Sequence, residues 1–491
     1  MKKTEVVTAS VFLLCYGGDY LYNRHMSGPI FVQPLSGYLK HSLYLLCVKI
    51  IEWSLLFLIA VVPLIINPQA FDYWYRPKIT ATYALLIAAG IAWLVKALVR
   101  DGSFLYKSSP LTVPLLCYAG AATISTLLSI NFKRSFYGDP LRMEGLPTIV
   151  TYIALVFLFI NQVESKELSK KLFIGLIVSA TLVSLYGLLQ YFGYNPTEHL
   201  FYKHWRRGYG VGSTIGNPNF LGKYLVLIVP IIFSLCVDHY SSKISILLKI
   251  ALCICFAALI TTFTRASWLS VVVSLAFLLW VGFKTALLRG RGKRLMVLTT
   301  MICLVGLFFN LYSQERNGQK VAGGQRTVGK VVERSISAFD IKRGEGVATR
   351  LYAWKRALLL IRERPYFGYG PETLEIVFKK FTMEYIKRFQ ELVSIDRAHN
   401  NYIDTAFTLG VVGLGAYLAI IVSFLSYLST LLRRSGNKSH KLLYLGILAG
   451  FCGYLINDLF IFSVVSVSPT FWSLMGLTVA VGRINSTVDS R

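Results

Sequence analysis

Apolar residues run along this chain in stretches of roughly twenty, separated by short polar or basic connections. About 20 helical residues cross the hydrocarbon core of a bilayer. Such stretches lie near 43–66, 79–99, 111–130, 146–161, 171–192, 217–237, 244–262, 267–283, 295–313, 402–431, 441–456 and 461–482. They predict an all-α, polytopic helical membrane protein with about twelve transmembrane helices and one long extracytoplasmic helical loop. One run needs a break. From Ala251 to Phe283 a single helix would extend ~50 Å at 1.5 Å per residue, against a hydrocarbon core of about 30 Å. The chain must turn within "TTFTRASW", and Arg265 sits at that turn.

The organisation expected is an N-terminal segment over 1–42 lying along the membrane surface and nine spans over 43–313. A cap over 314–400 follows, then three more spans and a cytoplasmic tail over 401–491. Within the cap, "ATRLYAWKRALLLIRER" (348–364) places Leu351, Trp354, Leu358 and Ile361 at helical spacing, with Arg and Lys on the other face. That is an amphipathic helix, stopped by Arg364-Pro365 and the "YFGYGP" turn. A second helical stretch is expected over 372–392.

Composition agrees with a membrane class: 55% of residues are hydrophobic and 15% charged, whereas soluble proteins carry about 25% charged residues. The net charge of +27 would suggest nucleic acid on a soluble protein. Here much of it lies in loops, where Lys and Arg set orientation, and no nucleic-acid partner is indicated. The loops at 284–294 and 431–441 are densely basic and fall on one side, which predicts cytoplasmic termini. The opposite side is basic too: "NFKRSFYGDPLRMEG" (131–145), "YKHWRRGYG" (202–210) and the long loop, with seventeen Lys/Arg against ten Asp/Glu. An outward face that is basic against the usual trend fits an anionic ligand, or anionic lipid headgroups.

Other classes recede. The cysteines mostly sit inside apolar runs, and Cys253 and Cys255, two apart on a helix, make a poor metal pair; neither a disulfide framework nor a zinc site is indicated. The N-terminus starts like a signal peptide but lacks an A-x-A cleavage pattern, and Leu14 before Cys15 does not suit lipoprotein processing. No P-loop points to ATP. No D-x-D pair or acidic cluster marks a magnesium diphosphate site on the outer face, so a phosphate would be held by arginines through bidentate bonds. No metal and no cofactor is expected.

Candidate chemistry gathers at membrane boundaries. "RAHNNYIDTAFTLGVVG" (397–413) sets His399 at the outer end of a span. On a helical wheel at ~100° per residue, His399, Ala406, Gly410 and Gly413 share one stripe. Small residues mark where membrane helices approach closely, so the stripe predicts an imidazole aimed at the bundle interior; His399 and Asn400 could also simply cap the helix. Arg265, between two apolar spans, costs several kcal/mol unless paired or facing water. Arg350 opens the amphipathic cap helix, and Arg142 lies in "YGDPLRMEG". In "GSTIGNPNFLGKY" (212–224), Asn217 and Asn219 could bind a sugar or phosphate, or build a turn.

Together these pieces resemble the bacterial O-antigen ligase and polymerase family. The resemblance rests on His399, Asn400, Gly410 and Gly413 at the family's spacing and on "TRASW", "GSTIGNPNF", "YGDPLRMEGL", "SLYGLLQYFGYNP" and "ATRLYAWKRALLLIRERPYFGYGP", over roughly 110–480. It implies a metal-independent glycosyltransferase of the plasma membrane, with an undecaprenyl-diphosphate-linked glycan as donor and a glycan, glycolipid or other surface molecule as acceptor; the transfer expected is an inverting one. By the same resemblance His399 matches an essential histidine, and Arg265 and Arg350 match arginines near the donor diphosphate. Arg142, Asn217, Asn219 and Asn400 are the further substrate-binding candidates. A repeat-unit polymerase shares fold and chemistry. A flippase or transporter would place its charges at the bilayer midplane, whereas these gather at the outer surface and in the cap; a non-catalytic scaffold leaves His399 unexplained.

Overall fold

Each of the twelve apolar stretches is occupied by one helix in a computed structural model that describes residues 37–67, 72–100, 106–194, 210–238, 243–318, 347–389 and 395–489. The expected surface segment before residue 37 and most of the loop at 202–210 lie outside the described residues. In chain order the helices are α1 (Gly37–Ala60), α2 (Tyr75–Val99), α3 (Thr112–Leu127), α4 (Phe132–Tyr137), α5 (Leu146–Gln162), α6 (Lys166–Phe192), α7 (Pro218–Asp238) and α8 (Lys243–Thr261). They continue with α9 (Arg265–Lys284), α10 (Gly292–Gly318), α11 (Val347–Glu363), α12 (Leu374–Phe378), α13 (Thr382–Phe389), α14 (Asn401–Arg434), α15 (Lys438–Asn457) and α16 (Ser468–Asp489). Nine of the described helices are long and apolar enough to cross a membrane. Two more, α3 and α5, are apolar but shorter. The described residues contain helices and no strands, and the chain is an all-α, polytopic membrane protein.

Burial sorts the helices. In α7, 94% of the most apolar window is buried, against 17% in α10 and 22% in α2; α7 is central to the bundle, and α10 and α2 lie at its outside. α15 lies directly against it because its contact face is nearly bare. A Cβ at Gly450 would stand 2.2 Å from the Leu227 carbonyl oxygen, so only glycine permits that approach. The turn in "TTFTRASW" is present: α8 ends at Thr261 and α9 begins at Arg265, with Thr262 and Thr264 hydroxyls 2.8 Å apart between them. The last helix begins later than its hydrophobicity suggests, at Ser468 instead of 461. Pro469 suits a first turn, where its missing N–H is not needed, and residues 461–467 form a connection.

The cap has its own small core of Tyr352, Ala353, Ala357, Leu360, Tyr369, Leu374, Phe378, Tyr385, Ala398 and Phe407. The amphipathic helix exists as α11, but its buried face differs from the expected one. Trp354 and Ile361 are half-buried as expected, while Leu351 and Leu358 are 46% and 52% exposed. The inward stripe runs instead through Tyr352, Ala353, Ala357 and Leu360, whose alanines allow the closer approach.

The expected stripe along α14 also needs correction. His399 precedes the helix with φ +53°, and Gly410 breaks it with φ 69°, ψ −172°, so no single wheel carries 399 through 413. Gly410 serves a different contact. The turn after α11 inserts its backbone at the break: Tyr369 and Gly370 N–H donate to the Phe407 and Thr408 carbonyls (both 3.0 Å), and Val411 and Val412 N–H donate to the Pro365 and Tyr366 carbonyls (2.7 and 3.3 Å). A Cβ at Gly410 would stand 2.1 Å from the Tyr366 oxygen. Gly410→Ala combines a left-handed backbone with overpacking, and is expected to cost about 2–5 kcal/mol. Thermal unfolding of the purified variant checks this, and an unchanged midpoint contradicts it.

Candidate active site

Phe462, in the connection between α15 and α16, is the point on which the charged residues converge. Arg142 and Arg397 lie over its ring at 4.7 and 5.4 Å, the His399 ring lies at 5.3 Å, and Phe220 of α7 meets it edge-on at 5.4 Å. An aromatic face attracts guanidinium groups electrostatically, so one ring gathers side chains from three distant segments. The connection is fixed from below. Lys223 of α7 pairs with Asp458 and donates to the Phe462 carbonyl at 3.2 Å. Asn401 receives the Ser463 N–H at 3.2 Å, and its own N–H donates to the Asp458 carbonyl at 2.8 Å.

His399 is half-buried in a strained loop. A left-handed conformation is uncommon for a residue with a side chain and needs surroundings that over-determine it. Asn400 supplies part of that: its side chain caps α14, accepting from the N–H groups of Tyr402 and Ile403 at 3.0 and 3.1 Å. The capping expectation for Asn400 thus describes its oxygen, and the amide N–H pair is left for other use. Two residues earlier, Arg397 is buried and pairs with Glu144 at 3.2 Å and with Glu372 of the cap. Burial alone would lower its pKa, but Glu372 and Glu144 raise it instead. Burial pushes the Glu144 carboxyl up, with Arg397 opposing.

The imidazole of His399 is pulled down to about 4, first by burial and next by the charge of Arg350, with Asp396 opposing and Arg142 and Arg397 adding to the fall. It is therefore neutral near pH 7. Arg350, in the first turn of α11, is itself lowered by burial and by the charge of Arg265. Arg265, Arg350 and His399 thus form an electrostatic chain from the start of α9 through the cap to the start of α14. Arg142 pairs with Asp396, and its Nη1 is buried with no hydrogen-bond partner.

Asn217 builds the entry to α7: its side chain accepts the Asn219 N–H at 2.9 Å, and its carbonyl accepts from Phe220 and Leu221 at 3.1 and 2.9 Å. Asn219 is half-buried on the same turn, one residue before Phe220. Among the described residues no three His, Cys, Asp or Glu side chains are grouped to hold a metal ion. A cavity of about 70 Å³ adjoins the cluster, lined in part by Glu144, Arg397, Asp404, Tyr417, Ser463 and Trp472; none of Arg142, Arg265, Arg350 or His399 lines it.

Sequence reasoning did not assign Arg397, Glu144, Glu372, Lys223, Asp458 or Phe462. Lys223 and Asp458 carried a readable signal, since each is an ionisable residue in or against an apolar run. Phe462 carried none, being one aromatic among many.

No curated protein matches the chain. The matched family segment runs from α8 into α14 and holds Arg265, Arg350, Arg397, His399 and Gly410, while Arg142, Asn217, Asn219 and Phe462 lie outside it. Residues 250–418, about a third of the chain, match the family model described as O-antigen ligase, Wzy_C, and in this stretch the membrane protein is similar to that family.

Proposed function

We propose that the protein is an inverting glycosyltransferase of the O-antigen ligase type, moving a glycan from an undecaprenyl-diphosphate carrier to an acceptor hydroxyl at the extracytoplasmic face of the bacterial plasma membrane, with both termini cytoplasmic. The observation that carries this reading is the gathering of Arg142 and His399 around the Phe462 ring, with the charge of Arg350 acting on His399 and that of Arg265 on Arg350. Three basic side chains in a partly buried site suit a dianionic leaving group better than a neutral ligand.

In the reaction the acceptor oxygen forms a bond to the anomeric carbon while the bond from that carbon to the diphosphate oxygen breaks. The electron pair leaves with the diphosphate, and the hydroxyl proton passes to His399. Arg265 and Arg350 counter the charge growing on the leaving oxygen, where fixed donors in a low-dielectric site act most strongly. Arg142, whose buried Nη1 has no hydrogen-bond partner, binds the donor beside the Phe462 ring. The bound diphosphate also offsets the guanidinium charge that depresses His399, making the imidazole a better base once the donor is seated.

The reading is tested by reconstituting the protein in lipid with a defined undecaprenyl-diphosphate glycan, with and without EDTA. Sugar gained by a separate acceptor, unaffected by EDTA, supports ligase activity without metal. Longer glycans on the carrier itself make it a polymerase, and unaltered donor moved to the opposite leaflet makes it a flippase. Loss of transfer on adding EDTA overturns metal independence.

A further inference from the structure

We propose that Trp354 and Asp404 are positioning residues: gripping the two polar groups of Ala398 from opposite sides, they hold the neighbouring His399 in its left-handed conformation, so that the imidazole is aligned only while the cap helix is seated. This rests on the reading of His399 as the group that takes the acceptor proton. The Trp354 indole N–H donates to the Ala398 carbonyl at 2.7 Å. The Ala398 N–H donates to Asp404 Oδ1 at 2.8 Å. Ala398 is fully buried, so both of its backbone groups depend on these partners.

These bonds are not needed to start α14, which Asn400 already caps. They act on the peptide units before the histidine. A left-handed conformation costs a residue with a side chain roughly 1–2 kcal/mol, so the His399 backbone relaxes toward ordinary angles when a grip is lost. Arg350 and Trp354 are four residues apart on α11 and share a face. One docked helix therefore brings the guanidinium that acts on His399 and the indole that fixes its backbone. The cap is thereby part of the catalytic apparatus, and seating it supplies charge and alignment together.

The test uses full-length protein reconstituted in lipid with a lipid-linked glycan donor. Trp354→Phe keeps an aromatic ring but removes the indole N–H together with the five-membered ring that carries it; Asp404→Ala removes the acceptor and Asp404→Asn retains an oxygen for it. The expected result is a kcat lowered ~10- to 100-fold in Trp354→Phe and Asp404→Ala, with donor KM changed less than about threefold and activity largely kept in Asp404→Asn. The thermal midpoint of Trp354→Phe stays near wild type, which separates misalignment from misfolding. A wild-type kcat in Trp354→Phe, or a loss in Asp404→Asn equal to that in Asp404→Ala, overturns the proposal. Absence of transfer by the wild type, or full activity in His399→Ala, overturns the reading beneath it instead.

Discussion

His399→Ala reconstituted in lipid is expected to transfer glycan ~10²–10⁴-fold more slowly than wild type, the span that loss of a positioned acid–base group produces, with its thermal midpoint little changed. The ring is only half-buried, and the loop around it is held by Arg397, Asn400 and the Ala398 peptide groups, so truncation at Cβ removes chemistry more than structure. The pH dependence adds a sharper check. An ordinary histidine loses its neutral form near 6.5, whereas burial and then Arg350 pull this one down to about 4. The kcat/KM profile, which reports groups on the free enzyme, should show no His399-dependent limb near 6.5. The same shift makes a statement about stability. Because the folded pKa lies below the unfolded one, the unfolded chain binds the extra proton first, and stability owed to His399 is lost as pH falls from about 6.5 toward 4. The slope of thermal midpoint against pH in that window should be shallower in His399→Ala. An activity limb at 6.5 that disappears with the histidine would mean a solvated imidazole, contrary to this site.

The second large effect concerns stability. Lys223→Met alone is expected to destabilise the protein by ~3–5 kcal/mol, because it strands the Asp458 charge in the interior. The pair is 1% and 0% exposed. Its surroundings are built around charge: Lys223 also lies 4.4 Å from the Tyr454 ring, and Asp458 accepts from the Tyr417 hydroxyl at 3.2 Å. Removing both charges together, in Lys223→Met/Asp458→Leu, should restore much of the loss, as apolar replacement of buried pairs often does. Thermal midpoints of the two single variants and the double variant form the cycle that checks this. Equal destabilisation in the double and the single variants would show that packing, not the stranded charge, sets the cost. Since Lys223 also holds the Phe462 carbonyl, even a stable double variant should transfer glycan more slowly.

Much of the scaffold was legible because lipid imposes a simple rule on sequence: each crossing needs its own apolar run. The twelve runs and the turn at "TTFTRASW" follow from that rule alone. The interior of α14 was not legible. A wheel assumes constant twist, and neither His399 nor Gly410 is helical, so a face drawn through them described a helix that is not there. The glycine did report a close approach, but to a peptide backbone from the cap instead of to a neighbouring span. Sites assembled from remote segments hide for another reason. Arg397 and Glu144 are 253 residues apart, and no local pattern joins them. On α11 the two leucines looked like the natural inner face, yet small alanines won it, because proximity to α14 favoured the lesser volume.

The backbone splice at Gly410 makes the cover and the rod beneath it one mechanical piece. Lifting 365–370 away from 407–412 breaks four peptide-to-peptide hydrogen bonds, roughly 4 kcal/mol at about 1 each, so a raised cover would be populated about once in a thousand molecules. The cover therefore stays seated on the rod in nearly all molecules.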